Sequence, residues 1–129
     1  MKTINVSEAD GVVLDYLVAK AQGLTPTVHV NPYGYVVLPN IPSSYCEDWK
    51  YGGPIIDHVK ISITNYHNGQ SSAWFYSPGL APSGQSINSL CMYGPTPLIA
   101  AMRLYVRWML GAEVEVPDDL FSTIKKEQA

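Results

Sequence analysis

The segment from Thr96 to Gly111 constrains the fold of this chain more than any other. Thr96 is a favourable N-cap, and Pro97 suits the first helical position, where its missing N–H has no helical partner to lose. A mainly apolar run follows and reaches Gly111, a typical helix stop. Because the predicted helix is apolar on nearly all sides, it should lie at the centre of the domain, with other elements packed around it.

A second helix is predicted near the start of the chain, over about residues 8–22. Ser7 can cap this helix, with Asp10 three residues further on, as in a capping box. Apolar residues recur at helical spacing between residues 13 and 21 and give the helix one apolar face. Gly23 then supplies a left-handed stop, so the helix should end just before it.

Strand patterns occupy much of the remaining sequence. Predicted strands cover residues 27–30, 35–38, 59–64 and 73–76 and a short edge strand at residues 113–116. Two long loops are predicted at residues 39–54 and 77–94, and a last short helix from residue 117. We therefore expect one α+β domain over residues 1–129. In it, a small, mainly antiparallel sheet of four or five strands packs against the central helix (about residues 97–110), with the N-terminal helix beside it.

Charge is segregated along the chain. Residues 21–46 contain no Asp, Glu, Lys or Arg, and residues 61–102 again contain none. Exposed surfaces normally carry interspersed charge, whereas the centre of a protein interface is poor in charge and rich in aromatic residues. One interpretation is a β-rich core with polar loops. The other interpretation is a surface that is covered in an oligomer or that forms a ligand cleft. On this interpretation, we expect a homo-oligomer.

The composition excludes several classes of protein. The 129 residues carry a net charge of −3, which argues against general DNA binding. The first residues lack the apolar run of a secretion signal, and the apolar segment at residues 97–110 is too short to cross a membrane. Two cysteines, Cys46 and Cys91, form no disulfide framework. We expect a cytoplasmic protein with reduced thiols and no membrane partner.

Two arginines of the central helix are candidate ligands for an anion. Arg103 and Arg107 are four residues apart and therefore share a helical face, and the helix contains no acidic residue to pair with them. The helix N-terminus at Thr96 adds free N–H groups, although Pro97 removes one of them. The alternative is that both arginines form structural ion pairs with Asp15, Glu113 or Glu115.

Aromatic residues are concentrated in the two predicted loops. Tyr45, Trp49 and Tyr51 lie in the first loop, and Tyr93 lies near the end of the second. Nucleobases stack on such side chains for about 1–3 kcal/mol each, and an arginine beside them would bind phosphate. The alternative is that Trp49 and Tyr51 fill the core. The candidate ligand-binding residues are therefore Tyr45, Trp49, Tyr51, Tyr93, Thr96, Arg103 and Arg107.

Catalytic and metal-binding patterns are weak. No nucleophile elbow or local cysteine motif accompanies Cys46 or Cys91, although His29, His58 and His67 provide potential bases. No His-x-x-x-His or Cys-x-x-Cys spacing suggests a metal site. Adjacent acids such as Asp118-Asp119 are explained by a helix start or by solvation. We expect no enzymatic activity, no metal and no cofactor.

Three blocks of sequence resemble a known family. They are LDYLVAKAQG at residues 14–23, DWKYGGPII at 48–56, and GPTPLIAAMR at 94–103, which continues to EVEVP at 113–117. In this order, and over most of the chain, they are similar to the NinX-like family of small phage proteins, a domain of unknown function. The resemblance implies a phage or prophage origin and action in the host cytoplasm, and it carries over no catalytic residues.

Together, these features favour a non-enzymatic, oligomeric phage accessory protein that binds a small anionic, nucleotide-like ligand. For a phage protein, we expect an anti-defence role in which a nucleotide-derived immune signal of the host is sequestered and not degraded. A cyclic nucleotide or an ADP-ribose-type molecule would be such a signal. The alternative is a protein-binding accessory factor that inhibits a host protein or assists phage recombination. A hydrolase is the least favoured class.

Overall fold

The computed structural model describes residues 2–33, 36–39, 41, 45–75 and 91–121, and these form an α+β fold, as the sequence predicts. The helices are α1 (Gly11–Ala21), α2 (Trp49–Val59) and α3 (Pro97–Leu110). The strands are β1 (Lys2–Asn5), β2 (His29–Val30), β3 (Val36–Val37), β4 (Ile61–Asn65), β5 (Ser71–Phe75), β6 (Cys91–Gly94) and β7 (Glu113–Val116). Two short 3₁₀ helices cover Val6–Glu8 and Asp118–Phe121.

Helix α3 is the central element, and its predicted bounds are confirmed. The Thr96 hydroxyl accepts a hydrogen bond from the Ile99 N–H at 3.1 Å, which caps the helix. Gly111 ends it at a positive φ of 99°. Eight of its residues are buried, from Leu98 to Val106 with one gap, and both other helices and the β4–β5–β6 strands contact it. The all-round apolar sequence therefore fills the core, as expected.

The described strands are divided among three small antiparallel sheets and do not form one sheet of four or five strands. β4, β5 and β6 form a three-stranded sheet against α3, β1 pairs with β7, and β2 pairs with β3. The Asn68-Gly69 turn joins β4 to β5, as predicted, with Gly69 at a φ of 85°. The prediction of a loop over residues 77–94 is wrong at its C-terminal end, because β6 occupies Cys91–Gly94 and pairs with β5. The earlier residues of that loop lie outside the described residues.

Helix α1 begins later than predicted. The backbone N–H of Val6 donates to the Ala112 carbonyl at 2.9 Å, which extends the β1–β7 pairing to the start of the short 3₁₀ helix Val6–Glu8. That 3₁₀ helix ends at Glu8, and α1 begins only at Gly11, with Asp10 as its N-cap. Ser7 is not the N-cap of α1: its N–H donates to the Asn5 side chain at 3.0 Å, so Asn5 caps the short 3₁₀ helix. The predicted end is confirmed, because Gly23 has a φ of 84° and closes the helix.

Helix α2 corrects the predicted aromatic loop at residues 39–54. The Asp48 carboxylate caps the helix by accepting the Lys50 N–H at 3.0 Å, and the helix continues through Pro54. Gly52-Gly53-Pro54 is typical of a turn in isolation. Here Gly52 is required for packing, because a Cβ there would collide with the Tyr45 carbonyl and the Leu98 side chain. Tertiary contact with α3 therefore overrides the local turn preference.

Candidate functional site

A cavity of about 600 Å³ lies against helix α2. One face of α2 lines it, and this face carries Lys50, Tyr51 and His58. The other lining residues include Gln22 just after α1, Tyr105 of α3 and Tyr45. Tyr45 lies in the turn at residues 45–47, which we call the Tyr45 turn. This volume falls in the range of pockets that hold small-molecule ligands. Of the seven predicted ligand-binding residues, Tyr45 and Tyr51 line this cavity.

Three tyrosines form the aromatic part of the cavity. The Tyr45 and Tyr51 rings meet edge to face, with centroids 6.5 Å apart and an interplanar angle of 74°. Tyr45 is only 3% exposed, and Tyr105 is also buried. Burial raises the pKa of both the Tyr45 and the Tyr105 phenols. Both hydroxyl groups therefore stay protonated at neutral pH and can donate hydrogen bonds to an acceptor in the cavity.

A buried carboxylate holds the Tyr45 turn in place. Asp15, in the middle of α1, accepts the backbone N–H of Cys46 at 3.1 Å across a separation of 31 residues. The Cys46 thiol also contacts the Gly11 carbonyl, at 3.5 Å. Burial raises the pKa of Asp15, and the thiol pKa of Cys46 is raised first by burial and then by the Asp15 charge. The Asp15–Cys46 pair therefore anchors the turn that carries Tyr45 into the cavity.

The cavity also has charged groups. The Lys50 ammonium lies 5.5 Å from the centroid of the Tyr51 ring, within the range of a cation–π contact. Asp57 contributes an acidic side chain, and His58, seven residues after Tyr51, contributes an imidazole ring. The Asp57 carboxylate lies 3.4 Å from the Lys60 ammonium in an exposed ion pair. The cavity therefore offers a cation and aromatic rings to the same ligand.

Arg103 is buried outside this cavity. Its Nε donates to the Ala9 carbonyl at 2.7 Å, and its Nη1 donates to the Tyr93 carbonyl at 2.8 Å. Arg103 is buried, and burial lowers its pKa while nearby Asp10 opposes that shift. The hydrogen-bond partners of Arg103 are thus backbone carbonyls and not the carboxylates of Asp15, Glu113 or Glu115. Arg107 is half-buried in the last turn of α3 and is likewise absent from the cavity lining.

The remaining predicted residues lie in three other places. Trp49 is 54% exposed at the first position of α2 and does not line the cavity. Tyr93 lies on β6 with its ring exposed. The Thr96 hydroxyl is occupied as the cap of α3. The structure thus groups two of the seven predicted residues at the cavity and separates the other five from it.

Sequence reasoning missed Lys50, His58 and Tyr105 as cavity residues. The missed signal was the helical periodicity of residues 48–59, in which Tyr51, Ile55 and His58 share a face. An interpretation of this segment as a loop hides that face. Tyr105 could not have been assigned from sequence, since nothing local distinguishes it from the other core residues of α3.

Both cysteines are free, with Cys46 buried and Cys91 exposed.

The described residues contain no group of three His, Cys, Asp or Glu side chains placed to hold a metal ion. In the same part of the chain, no helix has the length and apolar character needed to cross a bilayer.

The fold and the cavity define a small α+β protein with a ligand-sized, tyrosine-lined site. A family model described as Bacteriophage P22, NinX matches residues 5–108. This match spans most of the chain, so the protein belongs to the NinX family, and the resemblance seen in the sequence is confirmed. Family membership indicates a phage accessory protein. Comparison with curated proteins gives no match.

Proposed function

We propose that this phage protein is a non-enzymatic, oligomeric binder that sequesters a small nucleotide-derived immune signal in the host cytoplasm. The α2 cavity is its proposed binding site. The observation that carries the proposal is the combination of Tyr45, Tyr51 and Tyr105 with the Lys50 ammonium around one cavity of about 600 Å³. This site replaces the arrangement of arginines and aromatics that the sequence alone suggests.

The cavity supplies the two contacts that a nucleotide-like anion needs. A nucleobase gains about 1–3 kcal/mol by stacking on an aromatic ring, and Tyr51 is the half-buried ring that offers such a face. Lys50 beside that ring provides a positive charge for phosphate, and the protonated phenols of Tyr45 and Tyr105 can donate to phosphate or base oxygens. The proposed ligand therefore lies along α2, with its base at Tyr51 and its phosphate at Lys50.

Sequestration requires affinity and no chemical step. The surroundings of Cys46 support such a non-enzymatic role. Cys46 adjoins the cavity residue Tyr45 and is almost fully buried. Burial and the Asp15 charge raise its pKa far above its ordinary value, so the thiol stays protonated and is a poor nucleophile. We therefore propose that a bound signal is released intact.

The test is a depletion and release experiment. Purified protein is mixed with a panel of cyclic dinucleotides and cyclic ADP-ribose isomers, removed by filtration and then heated. The filtrate and the released material are assayed by mass spectrometry. Depletion of one compound and its intact release would support the proposal. Release of a changed molecule would contradict a non-enzymatic role. No depletion of any compound would reject signal sequestration and favour a protein partner instead.

Two variants locate the site. Tyr51→Ala and Lys50→Met should each weaken the depletion at least about tenfold, because they remove the stacking face and the cation. Tyr33→Ala is the matched control: Tyr33 lies 85% exposed between β2 and β3, away from the cavity lining. Depletion that all three variants retain at the wild-type level would reject the α2 cavity as the binding site.

A further inference from the structure

The three-stranded sheet has one face packed on α3 and one face directed away from it. Ile61, Ala73 and Met92 are buried on the inner face. Strand alternation places their neighbours on the opposite side of the sheet. We call this side the outer face, and it consists of Ser62, Thr64, Ser72, Trp74, Cys91 and Tyr93, with Tyr66 just beyond β4.

Aromatic rings are exposed on this outer face. Tyr93 is 56% exposed, Tyr66 45% and Trp74 38%. Ser72 is the buried member of the outer face, and its hydroxyl is within hydrogen-bond distance of the Tyr66 hydroxyl, at 3.1 Å. Trp74 Nε1 donates to the Thr64 hydroxyl at 3.4 Å. These side-chain contacts hold two of the three rings in place, which lowers the entropy lost when a partner covers them.

The outer face carries no formal charge. It is built entirely from the 61–102 segment and the turn within it, which contain no Asp, Glu, Lys or Arg. Acidic residues lie on other elements, including Glu8, Asp57, Glu113 and Glu115, and the whole chain carries a net charge of −3. Basic residues lie on the same elements, including Lys2 on β1, which pairs with β7, and Lys60, which forms an ion pair with Asp57. A contact between two copies through those elements would bury charged side chains, whereas a contact through the outer face would bury none.

We propose that the outer face of the β4–β5–β6 sheet is a two-fold interface between two copies of this chain. A two-fold interface uses the same patch on both subunits, so an uncharged aromatic patch is complementary to itself. Two sheets stack face to face at about 10 Å, with aromatic side chains filling the space between them. The interface explains why so much Tyr- and Trp-containing surface lacks charge. The proposed interface and the proposed function share only the expectation of an oligomer. The α2 cavity is lined by other elements, so the interface does not depend on ligand binding there.

The oligomeric state tests this interface. Light scattering after size exclusion, together with analytical ultracentrifugation from 1 to 100 μM (roughly the range of weak to moderate dimers), should give twice the chain mass of 14.2 kDa. Tyr93→Glu and Thr64→Glu each place a negative charge from both copies in the interface. Each should raise the dimer dissociation constant at least about 100-fold, with an unchanged circular dichroism spectrum. Tyr33→Glu is the control, because it adds the same charge at an exposed tyrosine outside the sheet and should stay dimeric.

Several results would overturn the interface. A wild-type protein that is monomeric at 100 μM contradicts it, whether or not another protein later binds the face. Variants Tyr93→Glu and Thr64→Glu that dimerise as the wild type does would place the contact elsewhere. Ligand depletion by the Thr64→Glu variant separates the two proposals. If this variant is monomeric and still depletes the ligand, the result supports both the outer-face interface and binding in the α2 cavity. A dimer without ligand depletion in any variant rejects the sequestration alone.

Discussion

Arg103 on α3 donates a 2.7 Å hydrogen bond from Nε to the carbonyl oxygen of Ala9, a residue 94 positions earlier in the chain. Its Nη1 donates to the Tyr93 carbonyl at 2.8 Å. One buried guanidinium therefore joins the central helix, the segment that precedes α1 and the β6 strand. Hydrogen bonds that involve a charged group contribute more than neutral ones, and each carbonyl left without a buried donor would add a penalty.

The first prediction concerns the stability of the fold. Arg103→Met should lower the free energy of unfolding by about 3 kcal/mol, because two charge-assisted hydrogen bonds are lost and two carbonyls lose their donor. Urea denaturation followed by circular dichroism measures this change. Lys20→Met on the exposed side of α1 is the control, and it should change the free energy by less than about 0.5 kcal/mol. An Arg103→Met protein as stable as the wild type, with ligand depletion lost, would instead assign Arg103 to the binding site.

Local signals explain which elements the sequence predicts well. The cap at Thr96, Pro97 and the stop at Gly111 act within one helix, and they locate α3 at its observed bounds. The Asn68-Gly69 turn likewise identifies the β4–β5 hairpin. In each case the deciding interactions connect residues only a few positions apart, so they are visible in the sequence.

Long-range contacts explain what the sequence does not predict. Helix α2 contains Gly52-Gly53-Pro54 and is stabilised by packing on Leu98 and the Tyr45 turn, which are distant in the chain. The partners of Arg103 are carbonyls that only the folded chain brings near. The cavity depends on both features, because it needs the α2 face and the Tyr45 turn that Asp15 anchors. The sequence therefore identifies Tyr45 and Tyr51 as candidate ligand-binding residues, but it does not show how the cavity tyrosines are arranged.

The second prediction uses adjacent glycines in α2 as a matched pair. Gly52→Ala should destabilise the protein by about 1–3 kcal/mol, because its Cβ would collide with the Tyr45 backbone and the Leu98 side chain. Gly53→Ala meets nothing closer than a Trp49 ring atom at 3.8 Å, which is ordinary contact. It should stabilise the protein by up to about 1 kcal/mol, because Ala favours the helix over Gly. Thermal and urea unfolding of the two variants should shift in opposite directions. Equal shifts would show that α2 does not approach Tyr45 this closely.

The third prediction concerns the two free thiols. In the folded protein at pH 7.5, an alkylating reagent should modify Cys91, which is exposed. It should leave Cys46 unmodified, because that thiol is buried and its pKa is raised by burial and by the Asp15 charge. Intact-mass spectrometry should therefore show one addition, and a second only after denaturation. Cys91→Ser should then show no addition in the folded state. Rapid labelling of Cys46 in that variant would mean that the Tyr45 turn opens readily.

The last prediction is a pH dependence that originates at Asp15. Burial raises the pKa of this carboxyl above its ordinary value near 3.8, although the Cys46 contacts act in the opposite direction. A carboxyl whose pKa is higher in the folded state binds its proton more tightly there. Its contribution to stability is therefore complete below about pH 3.8 and is lost as the pH rises through the folded-state pKa.

Asp15→Asn isolates this contribution, because the amide does not titrate and its oxygen can still accept the Cys46 N–H. The other acidic groups are present in both proteins and cancel in the comparison. The free energy of unfolding of Asp15→Asn minus that of the wild type should rise between pH 4 and pH 7 (roughly the window above the ordinary Asp pKa) and should level off below it. Urea denaturation at each pH measures the difference. A difference that falls with rising pH would mean that the hydrogen bonds from Cys46 outweigh the desolvation of the carboxylate, and that the charged form of Asp15 is the one the fold prefers.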